Sequence, residues 1–82
     1  SPAYPNPFNP LTRIRFTVPE MTEVNLSVYD LKGKLIDQLV NKTFGPGTHV
    51  QSWDAQFLPS GVYFLVMESS SFSTSQKLIL MK

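Results

Sequence analysis

The sequence lacks cysteine and has a single histidine, which excludes several kinds of chemical site. Without cysteine, neither a disulfide nor a thiolate-bound metal can form. A histidine triad would need an acid near His49, but Asp54 lies five residues further on and, on a strand, points to the opposite face. We therefore expect His49 to have a structural or surface role.

The sequence also lacks a charge excess and a long apolar run. Seven basic and six acidic residues give a net charge of +1, so charge gives no reason to propose a nucleic-acid partner. No apolar run reaches the roughly 18 residues of a transmembrane helix. The four glycines form no phosphate-binding loop, and the six carboxylates are scattered rather than paired. The sequence therefore predicts no enzyme, no metal site and no cofactor.

What the sequence does contain is a hydrophobic period of two. In TRIRFTV and VNLSVYD, apolar and polar residues alternate, which is typical of half-buried strands. DLKGK follows, where Gly33 can supply the positive φ of a bulged hairpin. LIDQLV is ambiguous because its i, i+4 spacing also suits a helical turn. Its place between strong strand signals favours a strand with a bulge.

Three further segments complete the strand pattern: THVQSWD, GVYFLVMES and QKLILMK, separated by turn signals at FGPG and LPSG. No segment has convincing helical periodicity. Six clear strands plus the proline-rich opening predict an all-β fold, a small antiparallel β-sandwich of about seven strands. At 82 residues the chain is long enough for one core, so we expect residues 1–82 to be a single domain.

The strand GVYFLVMES is apolar on both faces. Tyr63 lies on one face, but Val62, Phe64 and Val66 make the other face apolar as well. A sandwich strand is normally polar on its outer side. We expect this second row to be covered, either by another part of the chain or by a partner.

The opening SPAYPNPFNP contains four of the seven prolines. Prolines hold the residues before them extended and withhold hydrogen-bond donors, which suits an edge or first strand. We expect Phe8 to be a buried anchor and the segment to lie along the edge or end of the sandwich, covering part of the Val62, Phe64 and Val66 row. Trp53 is expected to be a core residue rather than a sugar-stacking platform.

Taken together, YPNPFNP, TRIRFTVP, VNLSVYDLKGK, LPSGVYF and the final QKLILMK resemble the type A C-terminal sorting domain of type IX secretion. That family is related to the immunoglobulin-like domain of the flagellar hook-capping protein. The resemblance runs from Tyr4 to Lys82 and implies an immunoglobulin-like sandwich at the C-terminal end of a larger secreted protein.

The resemblance also implies which residues carry the signal. The family's Pro-Asn-Pro element matches Pro5–Pro7, its Gly-x-Tyr element matches Gly61–Tyr63, and its terminal lysine-plus-apolar element matches Lys77–Lys82. The expected recognition residues are Pro5, Asn6, Pro7, Gly61, Tyr63, Lys77, Leu78, Ile79, Leu80 and Lys82, with Phe8 and Trp53 as structural anchors.

By the same resemblance, the expected function is a non-catalytic secretion signal read by the outer-membrane translocon. The expected partners are that machinery, its C-terminal signal peptidase and an N-terminal parent domain. The expected location is the cell surface or exterior of a Gram-negative bacterium. Self-association through the last strand's edge or the Val62, Phe64 and Val66 row is a further option.

Two other classes of function fit the composition. One is a structural or adhesive immunoglobulin-like module, and the other is an accessory carbohydrate-binding module that uses Trp53 and nearby tyrosines. The chain starts at Ser1, without methionine or a signal peptide, which suggests a piece of a longer protein. The residues that precede Ser1 in the parent would separate these classes.

Overall fold

The computed structural model describes residues 11–81, and every regular element among them is a β-strand. The strands are β1 (Leu11–Val18), β2 (Thr22–Asp30), β3 (Leu35–Phe44), β4 (Gly47–Asp54), β5 (Gly61–Ser69) and β6 (Ser73–Leu80). Every strand pair among them is antiparallel. This confirms the all-β class predicted from the period of two.

The strands form two sheets that pack face to face as a sandwich. One sheet has the order β1-β4 and the other has the order β3-β2-β5-β6. The described residues therefore contain six strands, one fewer than the seven we expected. The seventh was assigned to the proline-rich opening, which lies outside the described residues, as does the expected burial of Phe8.

The core lies between the two sheets and is built from alternate residues of each strand. In β1, Ile14, Phe16 and Val18 are buried while the residues between them are exposed. In β2, Val24 and Leu26 are completely buried. The alternation fixes the register, since a slip by one residue would turn each apolar row to solvent.

Strand β3 is irregular, which resolves the ambiguity of LIDQLV. Its pairing with β2 shifts register twice, between Leu26 and Ser27 and between Val28 and Tyr29. These irregularities let Ile36, Leu39 and Val40 all pack against the core despite their mixed spacing. Leu35 is left outside, with 52% of its surface exposed.

The two connections on either side of β3 differ. Between β2 and β3, the Asp30 carboxylate accepts hydrogen bonds from the backbone of Lys32 (2.9 Å) and Lys34 (2.8 Å), and Gly33 has φ +84°, as expected for a bulged hairpin. The FGPG segment is not the long turn we expected. Only residues 45–46 separate β3 from β4, and they carry the chain from one sheet to the other.

The strand registers define two ends of the sandwich. At one end, which we call the Trp53 end, Leu11 pairs with Asp54, and Gly61 pairs with Leu80. The ring of Trp53 contacts that of Tyr63 there, with 6.3 Å between centroids. The opposite end, the Phe44 end, contains Phe44, Phe16 and His49 in mutual ring contact.

Candidate recognition surface at the Trp53 end

The register between β5 and β6 brings two of the family-like elements together. Gly61 faces Leu80, Tyr63 faces Leu78, and Phe64 faces Lys77 across the antiparallel ladder. The Gly-x-Tyr element and the terminal lysine-plus-apolar element are thus one paired unit, although 16 positions separate Gly61 from Lys77. Both lie at the Trp53 end.

The predicted recognition residues of β6 divide between two faces. Leu78 and Leu80 are each 1% exposed and belong to the core, so a partner cannot contact their side chains in the folded domain. Lys77 is exposed, and Ile79 is 43% exposed. In β6, therefore, the side chains of Lys77 and Ile79 are accessible to a partner, while the buried side chains of Leu78 and Leu80 fix the strand against the core.

Tyr63 fixes the loop that precedes its own strand. Its side chain is buried, and its hydroxyl donates a 2.7 Å hydrogen bond to the carbonyl oxygen of Pro59. Burial first, and the negative charge of Asp30 second, raise the pKa of the Tyr63 phenol above its usual 10.0. The raised pKa keeps the phenol protonated, and a protonated phenol is what the hydrogen bond to Pro59 requires. The arrangement resembles the tyrosine corner of immunoglobulin domains.

Trp53 lies beside Tyr63 in the core. It is 2% exposed, so its ring is not available as a sugar-stacking platform. Its indole Nε1–H has no hydrogen-bond acceptor among the described residues.

The backbone geometry at position 61 does not require a glycine. Its φ is not in the left-handed region, and a Cβ added there would lie 3.9 Å from Cε2 of Tyr63, an ordinary van der Waals distance. Gly33 and Gly47 differ, because both have positive φ. The glycine of the Gly-x-Tyr element thus has no steric explanation within the described structure.

Strand β1 begins at this same end, because Leu11 pairs with Asp54, directly after Trp53. The proline-rich element with Pro5, Asn6 and Pro7 lies outside the described residues, as does Lys82.

Within residues 11–81, β6 pairs with a neighbouring strand along only one of its edges. Among the described strands, β1 and β6 are edges of their respective sheets, and between them lies a cleft of about 90 Å³. Ile14 and Phe16 line it from β1, Leu65 from β5, and Thr74 and Gln76 from β6. No pattern in the sequence predicts this cleft, because it depends on which strands become neighbours in the fold.

The described residues offer no assembled chemical site. His49 packs between Phe16 and Phe44 and its Nε2 hydrogen bonds with the carbonyl oxygen of Gly45 at 2.7 Å. In residues 11–81, no group of three or more His, Asp or Glu side chains could hold a metal ion. The same residues include no helix long and apolar enough to cross a membrane.

A small all-β module that brings two separated family-like elements together at one end has the form of a recognition domain. A scan against protein families matches residues 2–81 to the secretion system C-terminal sorting domain. The chain belongs to this family, the C-terminal sorting domains of type IX secretion. Searches of the curated proteins and of the solved structures found no match.

Membership of the family has direct consequences. A C-terminal sorting domain acts for a parent protein on its N-terminal side and interacts with the secretion machinery. It directs export across the outer membrane, to the cell surface or the exterior. The family is defined by sorting rather than by catalysis.

Proposed function

We propose that residues 1–82 form the non-catalytic C-terminal module of a larger protein, and that the outer-membrane translocon recognises this module. Recognition leads to export of the parent, removal of the module by the C-terminal signal peptidase, and anchoring of the parent at the cell surface. The proposal rests on the family match and on one structural observation. The Gly-x-Tyr element and the terminal lysine-plus-apolar element lie side by side at the Trp53 end.

A signal that is recognised as a folded surface requires segments distant in the sequence to become adjacent in this way. A signal read as an unfolded peptide needs only contiguous residues, whereas Gly61–Tyr63 and Lys77–Leu80 are contiguous only after β5 and β6 pair. Tyr63 additionally ties the Pro59 loop to this unit through its hydroxyl. The translocon is therefore proposed to read the folded domain.

The recognition residues have two separate roles in this proposal. Tyr63, Leu78 and Leu80 are buried and act by fixing β5 and β6 in place. Lys77 and Ile79 are exposed and act by contacting the machinery. Substitutions in the first set should impair export and stability together, and substitutions in the second set should impair export alone.

The backbone of β6 gives a second means of recognition. Among the described strands, β6 pairs only with β5, so one edge of β6 faces no other described strand. An extended segment of the machinery can add to such an edge through main-chain hydrogen bonds. The cleft between β1 and β6 could receive its apolar side chains, since Ile14, Phe16 and Leu65 line it.

The test is a fusion of residues 1–82 to a folded periplasmic reporter in a type IX-competent cell. We expect the reporter to reach the cell surface or medium when it is produced as the fusion, and to stay in the periplasm when it is produced without residues 1–82. Ile79→Ser should lower export at unchanged thermal stability. A wild-type fusion that folds and stays in the periplasm would contradict the proposal.

A further inference from the structure

The outer face of the four-stranded sheet is divided into two unlike halves. Near the Trp53 end, cross-strand register places Leu35 beside Tyr29, Tyr29 beside Phe64, and Val62 beside Ile79. We call these five residues the apolar half-face. Leu35 and Ile79 are exposed, and the other three are half-buried. None of the described strands covers them, because the β1-β4 sheet packs on the opposite face.

The half of the face toward the Phe44 end is polar. Asn25 and Asn41 face each other across β2 and β3, while Glu68 pairs with Asn25 on the other side. The carboxamide oxygen of Asn25 accepts hydrogen bonds from the Ser27 hydroxyl (3.1 Å) and the Gln38 amide (3.0 Å). These polar groups hydrogen bond with one another, whereas no strand within residues 11–81 covers the apolar half.

Other exposed apolar residues gather at the same end. Leu31 lies in the turn between β2 and β3, Phe57 in the loop between β4 and β5, and Met81 directly after β6. Phe57 is 88% exposed. With Leu35 and Ile79, these make five of the seven large hydrophobic side chains that are exposed among the described residues. Such a concentration marks an interaction surface.

The charge on this surface indicates the kind of partner. Lys77 is the Cα partner of Phe64 and lies at the margin of the apolar half-face. In residues 11–81 its ammonium group forms no ion pair. Glu23 and Glu68, the acidic residues that β2 and β5 place on the outer face, both lie in the polar half. The apolar half-face therefore presents hydrocarbon together with a positive charge that has no ion-pair partner within residues 11–81.

A second copy of the chain does not match this surface well. In a symmetric pair, each apolar half-face would meet its own counterpart, and each Lys77 would be desolvated without a carboxylate from the same half. A partner that carries its own carboxylate beside apolar side chains would satisfy both features. Charge thus argues against the self-association that the Val62, Phe64 and Val66 row alone allowed.

We propose that the apolar half-face and Lys77 form the docking surface for a component of the secretion machinery whose contact region is apolar with an acidic group opposite Lys77. This inference rests on the proposed function, since it names the surface through which the machinery holds the domain. The component contacts the sheet face at the Trp53 end, in addition to the edge of β6.

Two pairs of matched variants in the reporter fusion test the proposal. Leu35→Asp is matched by Val50→Asp, because Leu35 and Val50 are 52% and 54% exposed and lie on different sheets. Lys77→Glu is matched by Arg13→Glu, which makes the same charge change at an exposed position of β1. Thermal unfolding of each purified chain shows whether it is folded.

We expect Leu35→Asp and Lys77→Glu each to lower export by about tenfold or more, because the first places a carboxylate in an apolar contact and the second reverses the charge that faces the partner's acidic group. Val50→Asp and Arg13→Glu should stay within about twofold, as for surface changes away from an interface. Equal export by a folded Leu35→Asp and its Val50→Asp control would overturn the docking surface while leaving the sorting function intact.

Two other outcomes would also decide the matter. If the wild-type fusion itself is not exported, the proposed function fails and the docking surface fails with it. If the 1–82 chain sediments as a dimer that Leu35→Asp dissociates, then the apolar half-face is a contact between copies and the proposal is wrong. Sedimentation as a monomer by both chains is the result we expect.

Discussion

Removal of the last residues of β6 should unfold the domain rather than merely erase a signal. Leu78 and Leu80 are each 1% exposed and belong to the single core cluster of the described residues. Each Leu→Ala change in a core costs about 2–5 kcal/mol. The two together therefore account for about 4–10 kcal/mol, before the lost pairing with β5 is counted.

That sum is comparable with the stability of the whole chain. At about 0.05–0.15 kcal/mol per residue, a chain of 82 residues has a free energy of unfolding of about 4–12 kcal/mol. We therefore expect Leu80→Ala to be folded but weakened by about 2–5 kcal/mol, and deletion of residues 78–82 to leave no cooperative unfolding transition.

Trp53 provides the assay. It is the only tryptophan in the sequence and is 2% exposed, so its fluorescence reports whether the core is intact during urea denaturation. The Leu80→Ala midpoint should fall with an unchanged slope. If the chain shortened after Lys77 unfolds cooperatively at the wild-type urea concentration, our account of β6 as a core strand is wrong. Ile79→Ser serves as the control, with a midpoint close to wild type.

Three further substitutions test smaller features of the Trp53 end. Tyr63→Phe removes the hydrogen bond to Pro59 and should cost about 0.5–1.5 kcal/mol by thermal unfolding. Because folding raises the pKa of Tyr63 above 10.0, the unfolded state releases this proton at a lower pH than the folded state does. The free energy of unfolding of the wild type should therefore fall as the pH rises above 10.0. In Tyr63→Phe it should fall less. Gly61→Ala should change stability by under about 0.5 kcal/mol, and a loss of export would then identify Gly61 as a contact of the machinery. Gly33→Ala, at φ +84°, should cost about 1–2 kcal/mol in urea denaturation, and an unchanged midpoint would refute the strain we assign to that turn.

The sequence was sufficient for the strands because the period of two is a local signal. Residues 14, 16 and 18 alternate with polar neighbours, and the structure buries all three. Gly33 also lies where the hairpin requires positive φ. Both predictions depend only on residues within one strand or turn, and such patterns are written in adjacent positions.

Strand β3 shows where local pattern stops being informative. Its apolar residues fit either of two faces, and the choice depends on register shifts against β2 that no local pattern contains. As a consequence, the outward position of Leu35 could not be predicted, nor could its contribution to the apolar half-face. The two-residue connection between β3 and β4 was missed for the same reason, since it joins different sheets.

The recognition surface could be predicted only as a set of elements. Family resemblance predicts that Gly61, Tyr63 and Lys77 belong to the signal, but it does not predict which of their side chains a partner can reach. Burial separates them: Tyr63 supports the fold and Lys77 faces solvent. The roles of Pro5–Pro7 stay predictions, because these residues lie outside the described part of the chain.

We propose that this domain is sufficient to send a protein through the type IX machinery. The most direct measurement is the fraction of a reporter fused to residues 1–82 that a surface protease can reach in intact cells. Isogenic cells with and without a functional translocon should be compared. We expect accessible reporter only in translocon-competent cells. Equal accessibility in both, or none in either with the domain folded, would contradict the proposal.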